Sequence, residues 1–224
     1  MHLSIPAGGV LVRTGAERAT LVRRTYLLVL AGVVLTVLGV GFTFTQPALL
    51  ALVARHPFLT LIAAFIPLFL SMRARRSFPA NLGLALLFTF AMGVAISPVI
   101  YLFAATQPEL IAQAGILTLS TFTVLTGYAW ISKRDFSALG SFFVVGLWIL
   151  IATSLLNLFF KNESASLWLA AMTVFVFSGL LVYDTWRLRN QYGPDDYVQA
   201  AVAIYLDILN LFLAILRLLG GRRS

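Results

Sequence analysis

Two stretches near the end of the chain decide how it folds: Phe177-Ser178-Gly179-Leu180-Leu181-Val182-Tyr183-Asp184 and Ile204-Tyr205-Leu206-Asp207-Ile208-Leu209-Asn210. Each is an apolar run holding one carboxylate, and Gly193-Pro194-Asp195-Asp196 stands between them. Gly-Pro followed by two aspartates marks a turn. The midpoint between Asp184 and Asp207 falls within this turn, between Asp195 and Asp196. An antiparallel helical hairpin folded there puts the two carboxylates at similar depth, about 15 Å along each helix at 1.5 Å rise per residue. Spacing sets their depth and leaves the rotation of each helix open.

Outward from this hairpin, which occupies the runs Leu167–Trp186 and Val198–Leu219, five more apolar runs can be marked. They are Tyr26–Phe44, Phe58–Met72, Ala80–Ala104, Ile111–Ile131 and Ala138–Phe160. Their separators carry turn and charge signals: Gln46-Pro47, Arg55-His56-Pro57, Arg73–Pro79, Gln107-Pro108, Lys133-Arg134-Asp135 and Lys161-Asn162-Glu163. The second run is the shortest and contains Pro67; extending it back through Ala48–Val53 would have to absorb Arg55 and Pro57, so it is read as standing alone. Of 224 residues 60% are apolar and only 11% charged, with mean hydropathy +0.95. Soluble domains carry about 45–50% and about 25% respectively, and a soluble fold of this size has no interior large enough for the excess. A span needs roughly 20 apolar residues and must be helical, because lipid cannot satisfy free backbone groups. The expected architecture is therefore an all-α membrane protein of seven transmembrane helices over residues 26–220, preceded by a segment, 1–25.

Low charge and abundant Phe, Leu and Val exclude disorder. The chain has no cysteine, which excludes disulfides and thiolate chemistry. The two histidines, His2 and His56, lie outside the apolar runs, against a multi-histidine metal site. No cleavable signal peptide is expected: residues 1–25 hold Arg13, Arg18, Arg23 and Arg24 and no small-residue cleavage site after a short apolar core. The net charge of +8 fits membrane orientation and not nucleic-acid binding. The four N-terminal arginines, Arg73, Arg75, Arg76, Lys133, Arg134, Arg187 and Arg189 fall on one side, and only Arg55, Lys161, Arg217, Arg222 and Arg223 on the other. By the positive-inside rule the N-terminus is cytoplasmic. Seven spans then place the C-terminus outside, a placement that the basic tail Gly220–Ser224 opposes.

A carboxylate at mid-membrane costs about 2.5–3.5 kcal/mol on insertion scales and defaults to a functional role. Six of the eight acidic residues lie in tails or loops; Asp184 and Asp207 do not. Two close carboxylates in low dielectric share one proton, which makes a proton sensor. Ionised together they repel unless a cation enters. Their hard oxygens suit Ca²⁺, but two carboxylates alone make a weak site without water or carbonyl oxygens. Arg73 ends the second span on the same side, where it either latches one aspartate or anchors the span by snorkelling. Asn157 and Asn210 read as amides joining helices. Arg217 reads as a snorkelling side chain, and Pro67 and Pro98 as kinks.

The chain resembles the Bax inhibitor-1, or transmembrane Bax inhibitor motif, family, and its bacterial members most of all. Three stretches carry the resemblance, in order, over about residues 73–220. The first is Thr126-Gly127-Tyr128-Ala129-Trp130 through Lys133-Arg134-Asp135-Phe136-Ser137 to Ser154-Leu155-Leu156-Asn157-Leu158-Phe159. The second is Phe177-Ser178-Gly179-Leu180 with Tyr183-Asp184-Thr185, and the third Tyr205-Leu206-Asp207-Ile208-Leu209-Asn210-Leu211-Phe212 with Leu216-Arg217. The resemblance implies a seven-helix bundle with the last helix central, lying in the bacterial inner membrane. It implies a pH-sensitive calcium leak channel and no enzyme. Asp184 and Asp207 match the family's paired sensor, and Arg73 best matches the arginine that latches it closed, with Arg75 and Arg76 close by. Asn210, Asn157 and Tyr205 lie in the matching stretches as supporting polar residues. No cofactor is implied; calcium is the transported ion, held weakly at most by Asp184 and Asp207. The second span has no acidic residue, so any second-helix carboxylate that some relatives use is missing.

Two other readings compete. An intramembrane aspartyl protease also needs two aspartates on neighbouring helices, but Asp207 follows Ile204-Tyr205-Leu206, where that chemistry's motif has Gly-x-Gly. Some bacterial relatives are instead linked to regulation of a membrane-bound ATP-dependent protease, and residues 1–20 would offer the contact. A retinal protein is excluded because Lys133 and Lys161 lie in loops, and a rhomboid-type protease because no intramembrane histidine exists.

Overall fold

The structure is a computed structural model and describes residues 15–74, 77–160 and 162–221. The second-loop arginines Arg75 and Arg76, Lys161, residues 1–14 and the basic tail 222–224 lie outside the described residues. The described chain is helical: α1 (Gly15–Phe44), α2 (Pro47–Arg55), α3 (Pro57–Arg73), α4 (Ala80–Thr106), α5 (Pro108–Ile131), α6 (Ser137–Phe160), α7 (Glu163–Asn190) and α8 (Tyr197–Gly221). Three of these open on proline, at Pro47, Pro57 and Pro108. The first helical position needs no N–H partner, and proline's fixed φ suits it.

Six helices are long and apolar enough to cross a membrane, and α2 with α3 forms a bent pair, turned by 103° at His56. Counting that pair as one span gives the expected seven. Residues 48–53 do not prolong α3; they form the separate short helix α2. The first helix begins at Gly15, well before the apolar run at Tyr26. Charged residues such as Arg18, Arg23 and Arg24 end an apolar run but not a helix, because arginine is a good helix former. Pro67 and Pro98 both sit inside helices. The Val94 carbonyl, which Pro98 cannot serve, accepts from Ser97 Oγ at 2.7 Å, the usual repair in a membrane helix.

Small residues let the helices close up. A Cβ at Gly93 would lie 2.1 Å from the Thr36 carbonyl oxygen, and one at Gly39 2.3 Å from that of Phe90. Here α1 and α4 run parallel, backbone against backbone. Thr36 Oγ1 lies 2.7 Å from the Tyr205 hydroxyl and donates to Thr89 O at 3.0 Å, tying α1, α4 and α8 together. The last helix packs against α1, α4, α5 and α7, and its most apolar window is 44% buried, more than that of any other candidate span.

One face of the bundle collects the start of α1 and the α3–α4, α5–α6 and α7–α8 connections. Arg24 of α1 lies 5.7 Å from the Tyr197 ring centre. Ser71 Oγ donates to Asn81 O at 2.7 Å, joining α3 to α4. Arg189 of α7 donates to the carbonyls of Ala129, Trp130 and Ser132 at 3.2, 2.8 and 3.0 Å. A guanidinium there satisfies the orphan carbonyls at the end of α5 and opposes its dipole.

Candidate functional site

Glycine notches set the α7 side chains. At Gly140 of α6 a Cβ would strike the Tyr183 ring at 2.3 Å, and at Gly179 of α7 one would strike the Phe143 ring at 2.0 Å. With both notches filled by rings, α7 is fixed in rotation against α6. Tyr183 stacks on Trp186, ring centres 6.0 Å apart, and the adjacent Asp184 is turned inward toward α8.

Asp184 and Asp207 are both buried, at 8% and 3% relative exposure. Their carboxyl groups face each other, close enough to interact directly. The α7–α8 hairpin thus brings the sequence-derived pair together across the helix interface. Ionised carboxylates only accept hydrogen bonds, so this contact needs a proton, or a cation, between the two. Oδ2 of Asp207 is buried with no partner among the described residues. An unpartnered buried acceptor is costly and so points to a proton, water or ion at that place. Among the described residues no third His, Cys, Asp or Glu joins the pair, so a bound cation would need water or backbone oxygens besides.

The arginine on the pair is Arg187. Its Nη1 donates to Asp184 Oδ1 at 3.1 Å. Its guanidinium lies 4.7 Å from the ring centre of Tyr192 and 5.5 Å from that of Tyr183. Two aromatic faces and a carboxylate hold this cation where it is. Arg73, the residue matched to the latch, is exposed at the end of α3 and makes no hydrogen bond or ion pair among the described residues. In the α7–α8 turn, burial pushes the Tyr192 phenol up to about 12, and the nearby Asp184 carboxyl adds to the rise.

The remaining polar residues are elsewhere. Tyr205, two residues from Asp207, points to Thr36 and so into the α1–α4 seam. Asn210 donates to Leu206 O of its own helix at 2.8 Å. Asn157 is at the far end of α6, where its Nδ2 donates to Ser166 Oγ at 3.2 Å and its Oδ1 accepts from Asn162 N at 3.2 Å. It joins α6 to α7, as an amide between spans does; Asn210 bonds within α8 instead. Arg217 extends from α8 to donate to Ser166 Oγ.

The family model described as "Inhibitor of apoptosis-promoting Bax1" matches residues 18–224. The chain is 35% identical over 205 residues to Protein lifeguard 4 of Mus musculus, covering 90% of this chain and 85% of that one. It is 32% identical over 207 residues to Bax inhibitor 1 of Schizosaccharomyces pombe, covering 91% and 77%. An uncharacterized protein of Campylobacter jejuni is 31% identical over 213 residues, covering 93% and 91%. The match spans every described helix, the bent pair and the carboxylate hairpin included: the chain is a membrane protein of the Bax inhibitor-1 family.

Proposed function

We propose that this protein is a pH-sensitive calcium leak channel of the bacterial inner membrane, gated by one proton shared between Asp184 and Asp207. The observation that carries the reading is the contact between these two buried carboxyls. With the proton in place they bridge α7 to α8, and the bundle, seven spans around α8, is closed. When it leaves, two negative charges face each other in low dielectric, where repulsion is strong. The helices part, and a divalent cation is drawn between them. The other groups acting on the pair are Arg187, which neutralises part of the charge on Asp184, and the phenols of Tyr183 and Tyr192 beside it. The basic residues clustered on the face of the α7–α8 turn orient that face to the cytoplasm.

Arg73 enters this reading as a latch that engages Asp184 in a second arrangement. It ends α3 on the same face, and the bend at His56 gives α3 a hinge at its other end. In the arrangement described above, Arg187 fills that role. The test is flux into dye-filled vesicles holding the purified protein, comparing Ca²⁺, Na⁺ and H⁺. Ca²⁺ entry above that of empty vesicles and in excess of Na⁺ entry supports the channel. H⁺ movement alone would replace it with a proton path.

A further inference from the structure

At the end of the bundle away from the α7–α8 turn, a cavity of about 590 Å³ opens between α3, α6, α7 and α8. It exists because α3 packs on α2 and α4 whereas α6 packs on α7, which leaves a cleft between α3 and α6 over α8. Along α7 its wall runs from Glu163 to Phe177, about 21 Å of helix. Its inner end reaches Asn210, one helical turn from Asp207. A space of that size holds roughly 20 waters at ~30 Å³ each.

The lining is mainly apolar, with polar side chains set into it well below the mouth. Ser154 of α6, Thr173 of α7 and Asn210 of α8 all line it, which gives water entering there groups to bond. Two opposite charges, Glu163 and Arg217, line the same cavity. They do not pair with each other among the described residues; Arg217 instead donates to Ser166. Both charges are exposed at the mouth, where they act on whatever enters and set the local ion concentration.

We infer that this cavity is a water-filled vestibule, open to small cations from the face opposite the α7–α8 turn, in which Glu163 draws cations in and Arg217 holds them back. The inference deepens the leak reading, since the vestibule ends beside the carboxylate pair. Its test is independent of flux. The chain has no cysteine, so single substitutions Ser154→Cys and Thr173→Cys report alone. Vesicles holding each variant are treated from the Glu163 face with membrane-impermeant methanethiosulfonates, one cationic (trimethylammonium) and one anionic (sulfonate). Val145→Cys, on the exposed apolar face of α6, is the lipid-facing control.

Both vestibule positions are expected to react faster from that face than from the other, and Val145→Cys to stay unreactive. Adding Arg217→Gln is expected to speed the cationic reagent about threefold or more and slow the anionic one, and Glu163→Gln to do the reverse. Ser154→Cys and Thr173→Cys as inert as Val145→Cys would mean that lipid or side chains fill the cavity, and would overturn the inference. So would rates that ignore both charge substitutions. Labelling without calcium flux would leave the vestibule standing and count against the leak; flux without labelling would do the opposite.

Discussion

At the scale of single residues, the site is two buried carboxyls facing each other with one cation beside them, and the proposed proton lies between the two. Arg187 stabilises a negative charge on Asp184 through a charge-assisted hydrogen bond. Removing it as Arg187→Gln is expected to cost about 1–3 kcal/mol, read as a lower melting temperature in detergent. It also removes the charge that helps Asp184 ionise, so the pH at which calcium entry is half-maximal is expected to move upward. An unchanged or lower midpoint would mean that Arg187 only packs against Tyr192 and Tyr183. Tyr192 itself stays neutral through the physiological range, since burial holds its ionisation far above it. In the unfolded chain a phenol ionises near pH ~10. Folding stability is therefore present below that pH and falls as pH rises from there toward about 12. Tyr192→Phe keeps the ring under Arg187 and is expected to flatten that alkaline loss in melting curves. The Asp184-x-x-Arg187 spacing is legible in sequence, because residues three apart share a helix face. The charge count uses Arg187 only for topology, although the signal that pairs it with Asp184 is present in the sequence. The latch role of Arg73 rests on a likeness to relatives and on its place at a helix end, neither of which fixes a side chain's direction.

At the scale of elements, the α7–α8 hairpin was the most legible part of the chain. The turn at Gly193-Pro194 and the symmetric placing of Asp184 and Asp207 set a common depth. What spacing left open, the rotation of α7, is fixed by rings in the notches at Gly140 and Gly179, a contact between helices that no single-chain periodicity reveals. The cap on α5 is of the same kind: Arg189 reaches three carbonyls of a helix nearly sixty residues earlier in the chain. Arg189→Ala is expected to lower stability by about 1–3 kcal/mol through those orphaned carbonyls, whereas a loss within ~0.5 kcal/mol, ordinary for surface substitutions, would show the cap to be incidental. The α1–α4 seam is less forgiving. Gly93→Leu meets the Thr36 backbone, which cannot rotate away, and is expected to cost upward of about 3 kcal/mol or to abolish folded protein. A fully folded, equally stable variant would contradict the close crossing.

At the scale of the whole molecule, hydropathy alone yields an all-helical membrane protein, and charge asymmetry alone supplies an orientation. Neither shows the sharp bend between α2 and α3, because Arg55-His56-Pro57 reads equally as a loop end and as a hinge. The wide placement of polar groups also becomes visible only in three dimensions. The carboxylate pair lies toward one face, the Thr36–Tyr205 contact in the α1–α4 seam, and the Asn157, Ser166 and Arg217 group at the opposite face. On the proposed reading, the carboxylate pair is a titrating gate at one end and the cavity a polar opening at the other, the arrangement a regulated leak uses. The central claim is that the shared proton sets the state of the bundle. The direct measurement is calcium entry into vesicles at about pH 6 and about pH 8, for wild type and for the double variant Asp184→Asn/Asp207→Asn. Wild-type entry should rise severalfold at the higher pH, and the double variant should respond to neither. Equal pH dependence in the two proteins, or wild-type entry indifferent to pH, would contradict it.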